Sequence, residues 1–437
     1  MISTRIQRTY LLKNSNRFKK KLLNWAEKEA TMLWLDSNNF KDQHTHIDAL
    51  LALGVEKECE SSYPKAIETF DAFNRELNDW LFGYFSYELK NEIEHLKSNN
   101  LDNLAFPDLY FFQPKKLFIF SGKRITLSYL KPYGKDIKQD FKAIRKTTAS
   151  LEESYSKELF EVQSRLSKGE YISKVEALQK HIRRGDIYET NFCQEFYVEN
   201  AELPLLQTYY NLNSISKPPF AGLLKFKDYI TISASPERYL KKQGNTIISQ
   251  PIKGTSKRSL NPSQDKKLKK ILEEDQKERS ENIMIVDLVR NDLSKNAIKG
   301  SVEVLELCKI YSFKQVHQMI STVRAMIPDN VSITDLIKAS FPMGSMTGAP
   351  KLSAMQLADK YETRKRGLYS GAIGYITPFK DFDFNVVIRS ILYNSSKKYV
   401  SFSVGGAITA KSNPEKEYEE CMVKAKAMRE VLEGNIK

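Results

Sequence analysis

The chain divides between short β-type runs, rich in Ile, Val, Thr and aromatics, and longer stretches with helical spacing. Thr246-Ile247-Ile248-Ser249 and Tyr229-Ile230-Thr231-Ile232 each predict a strand, and both stop near a proline or glycine. Residues 80–88 and 110–112 predict strands or strand ends, and residues 117–130 a hairpin that reverses through Ser121-Gly122-Lys123-Arg124. Further strands are predicted over 191–198, 371–376, 384–389 and 399–404. Residues 171–184 fit an amphipathic helix that ends near Gly185, and 263–289 fit one long helix behind Pro262. Another helix is predicted to open at Pro350, where a missing N–H costs nothing. The last helix opens with Asn413-Pro414-Glu415, a cap, a first-turn proline and an early acid.

The signals are uneven along the chain. Residues 1–150 are irregular in pattern and are expected to add strands to the same body as the rest. Residues 136–157 are charged and Ser-rich, and form the best candidate linker, a short helical one included. From Lys168 the pattern sharpens, and residues 151–437 are expected to form the catalytic unit. No repeat or low-complexity segment is present.

Composition narrows the function classes. With 437 residues, 41% hydrophobic content, 23 Phe and 22 Tyr, the chain can bury a large core. No run approaches the ~18 apolar residues of a membrane helix, and Met1-Ile2-Ser3-Thr4-Arg5-Ile6 is not a signal peptide. The four cysteines (Cys59, Cys193, Cys308, Cys421) are far apart and read as reduced thiols of a cytoplasmic protein. The net charge of +14 invites a nucleic-acid reading, but the lysines are spread over the chain. The densest group, Lys266, Lys267, Lys269 and Lys270, falls in a helical pattern and reads as a solvated face. Neither a nucleic-acid nor a membrane partner is expected.

Several groups of residues carry chemistry. Lys253 stands in Pro251-Ile252-Lys253-Gly254-Thr255, a Pro/Gly-bounded turn, sixteen residues after Glu237 in Ser235-Pro236-Glu237. Two hairpin strands would bring that amine and that acid into one pocket; without its neighbours Lys253 would be an ordinary turn lysine. Burial or a nearby cation would lower its pKa and free the amine as a nucleophile. Glu278 and Glu281 lie three apart, as do Glu417 and Glu420, so each pair shares a helix face. Asp275, Glu278 and Glu281 continue a stripe begun by Leu268 and Leu272. Each pair alone is the ordinary mark of a solvated face; together, on inward faces, they suit a hard divalent cation such as Mg²⁺. Gly344-Ser345-Met346-Thr347-Gly348-Ala349-Pro350-Lys351 is a small-residue loop entering a helix N-terminus, where free N–H groups favour an anion, or equally a well-capped turn. His317 reads as structural when taken alone, and His44 and His46, near Asp48, as surface residues.

These segments resemble, in order and spacing, the chorismate-utilising enzymes. The run Glu281-Asn282-Ile283-Met284-Ile285-Val286-Asp287-Leu288-Val289-Arg290-Asn291-Asp292-Leu293 carries the resemblance, with Phe341-Pro342-Met343-Gly344 through Lys351, Arg366 through Ala372, and Asn413-Pro414 through Lys424. It implies an α+β fold of large, mainly antiparallel sheets packed together, helices outside and a cleft active site. It implies Mg²⁺ on Glu281 and Glu420, with Glu278 and Glu417 as supporting acids. Arg389, Tyr369 and Lys424 match residues around the chorismate carboxylates, Gly254 and Thr255 match substrate contacts, and His317 matches a histidine near the ring. Glu237 matches the acid/base at the C4 hydroxyl.

Lys253 points to the branch that aminates chorismate at C4, toward 4-aminobenzoate, because relatives that make anthranilate usually carry alanine there. Anthranilate formation is the alternative. The resemblance further implies ammonia from a separate glutamine amidotransferase subunit. Two departures stand out. Gly405-Gly406-Ala407 replaces an all-glycine or Gly-Ala-Gly strand end, and Glu189 stands where amine-adding members usually have Gln. Leu33-Trp34-Leu35-Asp36-Ser37 is loosely similar to a segment that shapes a tryptophan pocket in relatives.

Overall fold

The computed structural model describes residues 5–45, 47–150, 159–313 and 316–434; His46 and the end of the expected linker lie outside them. Two thirteen-residue strands, Ala49–Ser61 and Leu109–Ser121, run antiparallel through the middle of the fold. Their register slips between Val55 and Lys57, opposite Pro114, which has no N–H to offer a ladder. On either side of this slip the neighbours differ. Leu109–Phe112 pairs with the strand Leu81–Phe85, while Lys116–Ser121 pairs with Arg124–Leu130 in the expected hairpin.

Two arms of antiparallel sheet grow from this shared pair. One passes from Ala49–Ser61 through Met32–Asp36, Phe220–Phe226, Tyr229–Ser235 and Ser390–Asn394 to Tyr399–Ile408 and Glu189–Val198. The other passes from Leu81–Phe85 through Ala372–Ile376, Phe382–Val386, Arg238–Gln243 and Thr246–Gln250 to Val316–Met326, which also holds Ile252–Lys257. The fold is α+β, with large antiparallel sheets packed together and helices outside, as the sequence leads one to expect.

Strand period two sorts the side chains. Leu33, Leu50 and Ala52 point into the layer between the arms with Phe82 and Tyr84, while Phe111, Phe384 and Leu240 lie on the opposite face of the second arm. Tyr110 of the shared pair stacks on Phe226 of the first arm, ring centroids 3.9 Å apart. Met32, Trp34, Leu51 and Leu53 point the other way, onto apolar faces of the helices Ser15–Ala26, Lys168–Arg184, Leu205–Ser216 and Pro414–Leu432. The Trp34 indole donates to the Tyr209 hydroxyl at 2.7 Å, so the buried N–H is satisfied.

Helix ends follow the signals in the sequence. Ser167 and Glu170 form a capping box at the start of Lys168–Arg184, and Gly185 closes it at φ 90°. Asn413 caps Pro414–Leu432 by accepting from Lys416 N. The helix expected at Pro350 begins one residue later, with Pro350 as its cap.

The expected helix over 263–289 is two. Pro262–Glu274 ends, Asp275 takes ψ 112°, and Gln276–Ser294 begins. The Asp275 carboxylate accepts from Lys277 N and Glu278 N, which holds the break open. The stripe read from Leu268 to Glu281 therefore crosses a kink and does not lie on one face. The turn expected around Lys253 is instead a bulged strand. Ile252–Lys257 slips register between Ile252 and Thr255, and Gly254 there has φ +91°. A side chain on Gly254 would also press on Glu278.

Candidate active site

The two arms diverge around a cavity of about 310 Å³. Its walls come from Ile252–Lys257 of one arm, Tyr399–Ile408 of the other, and the helices Gln276–Ser294 and Pro414–Leu432. Glu237, Lys253, Gly254, Thr255, Glu278, Glu281, Tyr369, Arg389, Gly405, Glu417, Glu420 and Lys424 all line it. Gly406 stands just behind; a Cβ there would lie 3.4 Å from Glu417 Oε2. His317 is not in the wall. Val316 and Gln318 line the cavity, so strand alternation turns the ring between them outward, to Ser312 Oγ (2.8 Å) and Asp265 Oδ1 (3.1 Å).

Hairpin ends bring Glu237 and Lys253 together. Arg238 pairs with Gln250 at the base of the hairpin, which sets Glu237 beside the bulge that carries Lys253. Glu237 is 4% exposed, and burial pushes its carboxyl up to about 7 against the Ser345 hydroxyl and the Lys253 charge. Ser345 donates to Glu237 Oε1 at 2.5 Å. The loop that carries Ser345 is clamped from behind. Arg366 donates to Met346 O (2.7 Å) and Asn191 O (3.0 Å), and pairs with Glu362 on the same turn. Thus the small-residue loop 344–351 contributes a hydroxyl to the cavity, while its Lys351 is tied to Asp292 and Ser340 O outside the wall.

Acids and cations face each other across the floor. Burial raises Glu281 to about 7 and also lifts Glu278, which feels Glu420 as a second negative charge. Lys424 draws Glu420 below its ordinary value, with Nζ 2.7 Å from Glu420 Oε1 and 2.9 Å from Gly405 O. Lys277 bridges the two acidic helices, 3.2 Å from Glu417 and 3.7 Å from Glu281. Nothing in the ExxE spacing marks Lys277, whose partner Glu417 lies on a different helix. Burial disfavours the charge of Arg389, and among the described residues its guanidinium has no hydrogen-bond partner. A desolvated, unpaired guanidinium is a ready carboxylate receptor.

The acids fit a hard cation. Glu278, Glu281, Glu417 and Glu420 of the two acidic helices border one cavity, and Glu281 Oε1 is buried with no hydrogen-bond partner among the described residues. Among the described residues no three acids, histidines or cysteines come close enough together to hold a metal ion by themselves. That is the condition Mg²⁺ accepts, with one or two protein carboxylates and the remaining positions on water and substrate oxygens.

The model of the family described as chorismate binding enzyme matches residues 10–430. The chain belongs to this family. It is 33% identical over 356 residues to aminodeoxychorismate synthase component 1 of Salmonella typhimurium, covering 80% of this chain and 76% of that relative. It is 39% identical over 294 residues to the probable chloroplastic aminodeoxychorismate synthase of Oryza sativa, of whose length the match spans about a third (32%). Anthranilate synthase component 1 of Thermus thermophilus is 31% identical over 360 residues, covering 80% and 77%. Among solved structures, anthranilate synthase component I of Streptococcus pneumoniae superposes with TM-score 0.77 at 24% identity, covering 90% of this chain and 95% of that one. The menaquinone-specific isochorismate synthase of Escherichia coli gives 0.76 at 16% identity, covering 98% and 94%. The fold is thus shared more widely than any one reaction.

A second cavity, of about 170 Å³, lies away from this site. Leu35, Asp36 and Ser37, from the segment similar to a tryptophan-pocket motif, line it with Arg238, Lys241 and Asp383. No helix among the described residues is long and apolar enough to cross a membrane.

Proposed function

We propose that the chain converts chorismate and ammonia to 4-amino-4-deoxychorismate. What carries the reading is one juxtaposition: the Lys253 amine and the proton-bearing Glu237 carboxyl line the same cavity. An amine and an acid on opposite sides of an allylic alcohol can add and expel in one event. Arg389 and Lys424 would take the substrate carboxylates. Glu281 and Glu420 would hold Mg²⁺, with Glu278 and Glu417 supporting, and the ion supplies positive charge to a substrate carboxylate when bound.

Lys253 forms a bond to C2, the ring double bonds shift, and the C4–O bond breaks. Glu237 gives its proton to the departing oxygen, which leaves as water. Ammonia then attacks C4, the double bonds shift back, and Lys253 leaves as the free amine. Glu237 recovers a proton from the new ammonium group, so atoms and charge balance. Thr255 and the backbone at Gly254 line the ring's path, and Tyr369 stands beside Arg389. His317, one layer out, steadies the strand between Ser312 and Asp265. The relatives named component 1 support a separate glutamine amidotransferase as the ammonia source.

Incubation with chorismate, Mg²⁺ and ammonium, followed by product identification, tests the reading. The expected product is 4-amino-4-deoxychorismate. Anthranilate as the main product would overturn the assignment, since Lys253 is what separates the two.

A further inference from the structure

The nucleophile proposed above has an unexpected neighbour. Lys253 Nζ donates to Glu189 Oε1 at 3.2 Å, and the Glu189 side chain is 1% exposed. Glu189 opens the strand Glu189–Val198 and is not part of the cavity wall; it stands behind Lys253. Its position is fixed by backbone. Ala349 pairs with it, and a Cβ on Gly348 would lie only 2.1 Å from Glu189 O, so glycine lets the two segments close on each other. The second oxygen, Oε2, is buried with no hydrogen-bond partner among the described residues.

This geometry bears on how the amine becomes free. Burial opposes the Lys253 charge, yet Glu189 and Glu281, and more weakly Glu237, hold its proton above the ordinary lysine range. An amine in that field does not release its proton to water at neutral pH. A carboxylate with one oxygen on the lysine and the other bare in a dry site is itself poorly satisfied. Moving the proton along the hydrogen bond removes both charges at once. It leaves an O–H donating to an amine nitrogen, and the bare oxygen then belongs to a neutral acid, which costs far less to leave unpaired.

We propose that Glu189 is a positioning residue that acts through Lys253 as its internal proton acceptor. The ammonium gives its proton to Glu189 Oε1, the amine so freed forms the C2–N bond, and Glu189 keeps the proton until Lys253 is released. Resting Lys253 is therefore one member of a pair that shares a single proton, and the fraction of free amine is set inside the pair.

This inference rests on Lys253 being the nucleophile, and the test separates the two. Trace acetic anhydride labels free amines, and peptide mass mapping reads the rate at Lys253 without chorismate or metal. The window is pH 8 to 10, above the range near 7 where Glu237 and Glu281 lose their protons. The expected wild-type rate at Lys253 is nearly constant across that window. In Glu189→Gln the rate is expected to rise about tenfold per pH unit until Lys253 reaches its own pKa. Glu189→Asp should keep the flat profile. A tenfold rise per unit in the wild type overturns the proposal even if Glu189→Gln does not fold, and so does an identical profile in wild type and Glu189→Gln. Separately, wild type mixed with chorismate and Mg²⁺ but no ammonia should gain mass on the Lys253 peptide. Absence of that adduct with a flat labelling profile would sink the nucleophile role and leave the proton-sharing pair standing.

Discussion

Lys277 Nζ lies 3.2 Å from Glu417 Oε1, so a cation on one acidic helix neutralises a carboxylate on the other. Lys277 also reaches Glu281 at 3.7 Å, and both acids together hold its proton above the usual range although burial works against it. A divalent ion bound by Glu281 would compete with this lysine for the same oxygens. Lys277→Met should therefore lower the metal-free melting temperature, because the acids are left to repel one another. The same variant should gain more from added Mg²⁺ than wild type in a thermal-shift titration. Equal Mg²⁺ shifts in both proteins would mean that lysine and metal use different oxygens.

Glu237 links stability to pH. Its folded value of about 7 exceeds the ordinary 4.5, so this group favours the fold fully below about 4.5 and loses that contribution as pH rises through about 7. The loss is at most about 3 kcal/mol by the usual conversion. Glu237→Gln, which keeps an acceptor for Ser345, should melt higher than wild type at pH 8 and at the same temperature near pH 5. Turnover should fall about 10²–10⁴-fold in the same variant, as expected when an acid catalyst is removed. In wild type kcat/KM should decline above pH 7. A variant that is inactive but no more stable at pH 8 would show that the carboxyl is not held protonated by burial.

Much of the site was legible because its parts sit at ends of local elements. Glu237 and Lys253 flank one hairpin, and the hairpin's own register brings them together. The acids at 417 and 420 follow a well-marked cap at Asn413. What stayed hidden depends on side-chain aim or on distant partners. His317 lies in a strand, where a shift of one residue changes the face, and no pattern in its neighbours fixes that parity. The break at Asp275 is invisible to an i, i+3 count, which fits one long helix or two short ones. Glu189 meets Lys253 across 64 residues, and Lys277 meets Glu417 across 140, so neither pairing has a local signature. The first 150 residues read as irregular because their two long strands serve both arms, with a slip at Val55 that breaks the alternation.

Strand packing leaves no room for a side chain at Gly405. A Cβ there would lie 2.4 Å from Phe192 O and 2.5 Å from Cys193 Sγ, and the backbone atom cannot step aside. Gly405→Ala should destabilise by about 1–3 kcal/mol in urea titrations, the usual cost of forcing an extra methyl into a packed site. Gly406→Ala meets only the ends of Glu417 and Lys424, at 3.4 and 3.7 Å, and should cost under about 1 kcal/mol. If both variants unfold at the wild-type urea concentration, the two strands are less tightly apposed than the structure has them.

Lys253 carries the reaction assignment, and its substitution discriminates most sharply. Lys253→Ala leaves Arg389, Lys424 and the acids in place, so chorismate should still bind and be polarised. Without the amine no C2–N bond can form, and 4-amino-4-deoxychorismate production should fall to background. Lys253→Arg should fail as well, because a guanidinium does not give up its proton to become a nucleophile. Both variants should lack the mass gain that wild type shows with chorismate and Mg²⁺ in the absence of ammonia. Substrate affinity provides the control. If Lys253→Ala binds chorismate about as tightly as wild type but forms no product, the loss lies in bond formation and not in recognition. Near-wild-type amination by Lys253→Ala would mean that ammonia attacks C4 directly. The lysine would then serve only to balance the charges of Glu189 and Glu281.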